Sequence, residues 1–122
     1  MKYYICEHCG NIIEYVKESG VPVMCCGQKM TEIVPGTSEG AHEKHVPVVI
    51  VDGEKVTVEV GEVEHPMVEA HYIQWIAIET TRGSQKVKLE YTDKPRAEFK
   101  LADGEEFVAA YEYCNLHGLW KK

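Results

Sequence analysis

Cys114-Asn115-Leu116-His117-Gly118 places a thiol and an imidazole three residues apart in what reads as a short turn near the C-terminus. Three more histidines, His45, His65 and His71, stand far upstream beside strand-forming runs that can bring them together. One sulfur and four imidazoles exceed by one the donors that a closed structural zinc site takes. A metal that accepts five protein donors and keeps room for a sixth points to iron in redox chemistry. Scattered histidines alone are more often surface or satisfied core residues; the spacing of Cys114 and His117 is what argues for a shared site. His8 and His42 read as solvated side chains and are left out.

A second donor set opens the chain. Cys6-x2-Cys9 and the adjacent Cys25-Cys26 are separated by fifteen residues and supply four thiols for one tetrahedral ion. Gly10 and Gly27 follow the two pairs, which suits tight turns whose amides face sulfur. Neighbouring cysteines are unusual in zinc ribbons and should distort the tetrahedron. Spacing alone leaves iron and zinc open. Five cysteines cannot all pair, so metal is favoured over disulfides.

These donors need elements to position them. Residues 1–36 contain short β-prone runs and too little apolar material for a core, so an ion must act as the staple. Residues 37–44 are polar and read as a linker. From His45 onward the chain reads as strand after strand: Val46 to Val51, Lys55 to Val60, His71 to Thr80, Lys86 to Thr92, Ala97 to Leu101 and Phe107 to Cys114. Asp52-Gly53, Arg82-Gly83 and Asp103-Gly104 mark turns between them. About seven strands with almost no helical periodicity predict an antiparallel β-sandwich over residues 45–122. Its core is expected from the valines and isoleucines with Trp75, Phe99 and Phe107. His45 then opens the first strand, and all five donors fall at strand ends or in loops.

Bulk properties narrow the class. Hydrophobic residues make up 44% of the 122, which is ordinary for a globular chain. No apolar run approaches the roughly 20 residues that cross a bilayer, and the first residues lack a signal-peptide core, so a cytosolic protein is expected. The net charge of -7 argues against nucleic acid. It also means that an anionic substrate needs a local positive charge to reach its site.

Taken together, these motifs resemble the desulfoferrodoxins, the two-iron superoxide reductases, over essentially the whole chain. Cys6-x2-Cys9 with Cys25-Cys26 is similar to their desulforedoxin-type (rubredoxin-like) iron centre. Glu43-Lys44-His45-Val46-Pro47, His65-Pro66-Met67, His71-Tyr72-Ile73-Gln74-Trp75 and Cys114-Asn115-Leu116-His117-Gly118 are similar to the catalytic-centre motifs. The resemblance implies an immunoglobulin-like sandwich and two iron ions per chain. It makes His45, His65, His71 and His117 equatorial ligands of the second iron and Cys114 its axial ligand, opposite an open position. The implied reaction reduces superoxide to hydrogen peroxide without releasing dioxygen. Lys44 would attract the anion, and Glu43 would be a sixth ligand to the oxidised iron. A donor such as rubredoxin and a homodimer are further expectations of the family. The competing reading, a non-catalytic iron electron carrier, accounts for residues 1–36 but leaves the five C-terminal donors unused.

Overall fold

A computed structural model describes residues 1–122. The chain divides into two compact units, Met1–Val34 and Pro35–Lys122.

The first unit is built from five very short strands: β1 (Tyr3–Ile5), β2 (Ile12–Glu14), β3 (Met24–Cys25), β4 (Gln28–Lys29) and β5 (Thr31–Ile33). β1 lies between β2 and β5 in one antiparallel sheet, and β3 with β4 forms a separate hairpin. Tyr3, Cys6 and Met30 are its buried side chains, while Val16, Val21 and Met24 are exposed. So small an interior cannot offset the conformational entropy of ordering the segment, and a shared ion must supply the difference.

The second unit begins with a single helical turn, α1 (His42–His45), followed by β6 (Pro47–Asp52), β7 (Lys55–Val60), β8 (Ile73–Thr80), β9 (Gly83–Lys88), β10 (Arg96–Lys100), β11 (Phe107–Cys114) and β12 (Gly118–Lys121). The strands form two antiparallel sheets, ordered β10-β7-β6 and β12-β11-β8-β9. Period-two alternation explains which faces meet. β7 turns Val56, Val58 and Val60 inward, and β10 turns Ala97 and Phe99 inward. They pack against Ile73, Ile76, Ile78, Ala110 and Cys114 of the facing sheet.

Several local expectations are corrected. Trp75 is half-buried on the outer face, stacked on Tyr113. Ile76 and Ile78 face the core, so alternation sends Trp75 out. A register shift then pairs Tyr113 with Trp75 but Cys114 with Ile73, so Ile73 turns inward beside Cys114. The interior tryptophan is Trp120, 1% exposed, on β12, a strand the sequence did not announce. The strand expected over residues 86–92 begins at Gly83 and ends at Lys88. His45 closes α1 instead of opening a strand. No helix is long and apolar enough to cross a membrane.

Candidate metal centres

His45, His65, His71, His117 and Cys114 converge, each offering a ligand atom within 4.8 Å of the others. Every one is placed by a specific local device. His45 ends α1, and its Nδ1–H donates to the Ala41 carbonyl at 2.7 Å. Gly61 lets the chain after β7 lie against that helix: a Cβ there would meet the Glu43 carbonyl oxygen at 2.8 Å. His65 follows β7, where its Nδ1–H donates to the Pro66 carbonyl at 2.7 Å. The Met67 thioether accepts the Ile73 amide at 3.3 Å, closing the loop that carries His65 and His71.

Asn115 joins two ligand elements. Its Oδ1 accepts the Tyr72 amide at 2.9 Å and its Nδ2 donates to the Ala70 carbonyl at 3.0 Å, so it brackets His71 on both sides. Sequence reading did not single out Asn115. An asparagine directly after a ligand in a tight turn was the available signal.

The four rings form a closed square. Neighbouring centroids are 4.7 Å apart for His45–His65, 4.7 Å for His65–His71, 5.0 Å for His71–His117 and 4.8 Å for His117–His45. Interplanar angles lie between 78° and 86°, so each ring turns its edge toward the next. The Cys114 sulfur is buried and stands 3.9 Å from His117 Nδ1.

Proton placement decides what this square can hold. A carbonyl only accepts, so His45 and His65 carry their protons on Nδ1. Their two Nε2 lone pairs then face each other at 3.2 Å with no proton between them. His117 Nδ1 approaches His45 Nε2 to 3.0 Å, and His71 Nε2 is buried without a protein partner. Protonation cannot relieve the crowding cheaply. Burial lowers His65 to about 4 and also lowers His45 and His71. A metal cation is the group that satisfies converging neutral imidazoles.

Cys114 has the same requirement. Burial pushes its thiol up, while the amides of Leu116 and His117 donate to the sulfur and oppose that rise. A buried thiolate with two amide donors becomes favourable once a cation lies beside it. Glu112, two residues earlier on the same face of β11, is buried and pushed up to about 9 by desolvation, so it is a neutral acid at pH 7. An interior carboxyl on an apolar strand had no signal in the sequence.

Cys6, Cys9, Cys25 and Cys26 form the second cluster, again within 4.8 Å. All cysteines are free, and the Cys9 and Cys25 sulfurs are 3.6 Å apart, far beyond a disulfide bond. Hairpin geometry accounts for the adjacent pair. Cys25 ends β3, and Cys26 with Gly27 forms the two-residue connection to β4, with φ of 51° and 75°. Two positive φ values make this a type I′ hairpin, whose twist matches the flanking strands. One thiol therefore leaves the strand end and the next leaves the turn, so both can point at one ion. A cysteine in the left-handed region costs about 1–2 kcal/mol, offset by metal bonding. The Cys9 amide, the largest cause, holds Cys6 down to about 6, whereas the Cys9 and Cys6 sulfurs push Cys26 up to about 12. Four thiolates cannot share this space without a cation.

Stripping the ion from these four thiols, or introducing Cys6→Ser, is expected to remove amide-exchange protection from residues 1–34 while residues 35–122 keep theirs. Persisting protection at Tyr3–Ile5 would mean that the small interior suffices without metal.

Residues 37–122 match the family model for desulfoferrodoxin. The desulfoferrodoxin of Nitratidesulfovibrio vulgaris is 48% identical over 120 residues, covering 97% of this chain and 92% of that one. This chain belongs to the desulfoferrodoxin family. The crystal structure of a superoxide reductase from Treponema pallidum superposes with a TM-score of 0.83 at 35% identity, covering 99% of this chain and 97% of that chain. A superoxide reductase from Giardia intestinalis, TM-score 0.53 and 35% identical, spans 66% of this chain and 95% of its own. The mainly β architecture and the desulfoferrodoxin resemblance are both borne out. The two donor sets are those of a two-iron desulfoferrodoxin: Cys6, Cys9, Cys25 and Cys26 for one iron, and His45, His65, His71, His117 and Cys114 for the other.

Proposed function

We propose that this desulfoferrodoxin is a superoxide reductase, converting superoxide, one electron and two protons to hydrogen peroxide without releasing dioxygen. The observation that carries the reading is the square of four converging imidazoles beside one buried, amide-stabilised thiol. Iron held by His45, His65, His71, His117 and Cys114 would supply the electron. The chain's own residues do the rest. His45 and His65, 2% and 1% exposed, fix the inner side of the site, and the half-buried His71 and His117 leave an approach for a small anion. The amides of Leu116 and His117 moderate the electron density that the Cys114 sulfur donates. In this reading residues 1–36 carry the first iron, residues 37–44 connect, and residues 45–122 carry the catalytic centre.

Lys44 is proposed to draw superoxide in against the overall charge of -7. It is exposed on α1 beside His45, and its ammonium is near enough to help depress both His45 and His71. Glu43, in the first turn of the same helix, is proposed as a further ligand that would hold the oxidised iron. The proposal extends to a cytosolic homodimer re-reduced by a donor such as rubredoxin.

Pulse radiolysis of the reduced protein, with peroxide and dioxygen both quantified, tests the reaction. One peroxide per superoxide consumed and no dioxygen are expected; half a dioxygen per superoxide would indicate dismutation. Lys44→Ala should slow the second-order step by about tenfold at low ionic strength and flatten its salt dependence. Glu43→Ala should leave that step intact and alter the ferric absorption spectrum. An unchanged low-salt rate or an unchanged spectrum removes the corresponding role.

A further inference from the structure

The outer face of the four-stranded sheet holds a cluster that the superoxide reaction does not use. Trp75 on β8 lies parallel to Tyr113 on β11, with centroids 5.7 Å and planes 5° apart. The Lys86 ammonium sits 5.4 Å from the Trp75 ring centre, and Lys88 stands opposite Trp75 in register on β9. Both lysines are exposed. Trp75, Lys86 and Lys88, with Tyr72, Gln74 and Leu89, wall a depression of about 420 Å³, and Glu90 is the one carboxylate on its rim.

Position connects this depression to the metal. Tyr113 immediately precedes Cys114, and Tyr72 immediately follows His71, so the surface backs onto two ligand-bearing segments. Charge marks it as well: on a chain that carries -7, its lining holds two lysines against one carboxylate. An aromatic anchor framed by cations is the composition of a protein interface. A small anion would need no such floor.

We infer that this depression is the docking surface for an acidic one-electron carrier protein that restores the reduced catalytic centre. The inference rests on the reductase reading, in which each superoxide takes one electron from the chain. The carrier loses one electron and is oxidised; the catalytic centre gains it and is reduced, with no bond made or broken. The net charge of -7 repels an acidic carrier, and the two lysines lower that repulsion at this face. The parallel Trp75–Tyr113 pair then spans from that contact to the residue before Cys114.

The test titrates zinc-loaded rubredoxin of acidic net charge, a redox-inert probe, into the iron-loaded protein at low ionic strength and measures Kd by calorimetry. The charge reversals Lys86→Glu and Lys88→Glu, combined, should raise Kd at least tenfold and slow reduction of the ferric protein by reduced rubredoxin to the same extent. Lys94→Glu, outside the depression, should change neither. The rate of the ferrous protein with superoxide should be the same in all three. An unchanged Kd in the double variant, or an equal loss in Lys94→Glu, overturns the docking site. Should the double variant lose the parent's ferric absorption spectrum, Lys86→Gln and Lys88→Gln replace it; each should raise Kd by about threefold, and no change in either overturns the site. Failure of the unsubstituted protein to oxidise with superoxide would sink the reductase reading instead, and is seen separately from Kd.

Discussion

Replacing Cys114 with serine is expected to abolish reduction of superoxide while leaving the sandwich folded. Cys114 ends β11 in the inter-sheet core, fully buried, and is the one sulfur among the five convergent donors. Changes to groups that merely orient a ligand already cost about 10–100-fold, so loss of the sulfur itself should exceed that range. Folding should survive for two reasons. The hydroxyl is smaller than the thiol but inherits the Leu116 and His117 amides as donors, so no buried polar group is orphaned. The core around Val56, Val58, Ile76 and Ile78 does not depend on the sulfur. Stopped-flow mixing with superoxide gives the rate, and the loss of sulfur-to-iron absorption in the ferric protein reports the ligand. Retention of the rate within tenfold would mean that the four imidazoles suffice.

How much of this was legible in the amino acids depends on the kind of signal each residue carried. The four N-terminal cysteines, Cys114 and His117 were legible because such short spacings seldom serve anything but a metal, and because glycine marks the turns beside Cys9 and Cys26; His45, His65 and His71 were tied to them by the family resemblance. β7 and β10 were legible because their alternation is strict. β8 was less so: Ile73 to Ile78 is apolar almost throughout, and the facing of Trp75 depends on which isoleucines enter the core. The register shift opposite Cys114 is a property of the pair of strands, invisible in either alone. α1 escaped notice because four residues carry no period. Its position comes from the Val46 amide bonding the His42 carbonyl and the Val63 amide bonding the Glu43 carbonyl, the second a contact between segments far apart in sequence.

The tie between residues 35–41 and the site was also hidden. A polar stretch with Ser38, Glu39 and Gly40 has the composition of a flexible connection, yet Ser38 donates its hydroxyl proton to the His117 carbonyl. A Cβ at Gly40 would press on the rings of His45 and His117, at 3.1 and 3.2 Å. The same composition therefore serves close approach to the imidazoles as readily as disorder, and only the tertiary partners distinguish the two uses.

Trp120→Ala should be the most destabilising single change outside the ligands, and it should loosen the catalytic metal as well. The indole is 1% exposed, stacks on His45 at 5.0 Å with planes 30° apart, and meets the edge of His42 at 5.1 Å. Its Nε1–H donates to the His117 carbonyl at 3.0 Å. One side chain thus supports two imidazole ligands from behind while filling the end of the core. Truncating a buried tryptophan costs about 3–5 kcal/mol, a large share of the 5–15 kcal/mol of a typical domain. Trp120→Phe keeps most of the stacking and loses the hydrogen bond, at roughly 1 kcal/mol net plus whatever volume is left unfilled. Denaturant unfolding of the iron-loaded and chelated forms separates the two effects. If Trp120 also holds the rings, the alanine variant should lose more stability with iron bound than without it, because the weakened site returns less binding energy. Equal losses in the two forms would confine the residue to packing.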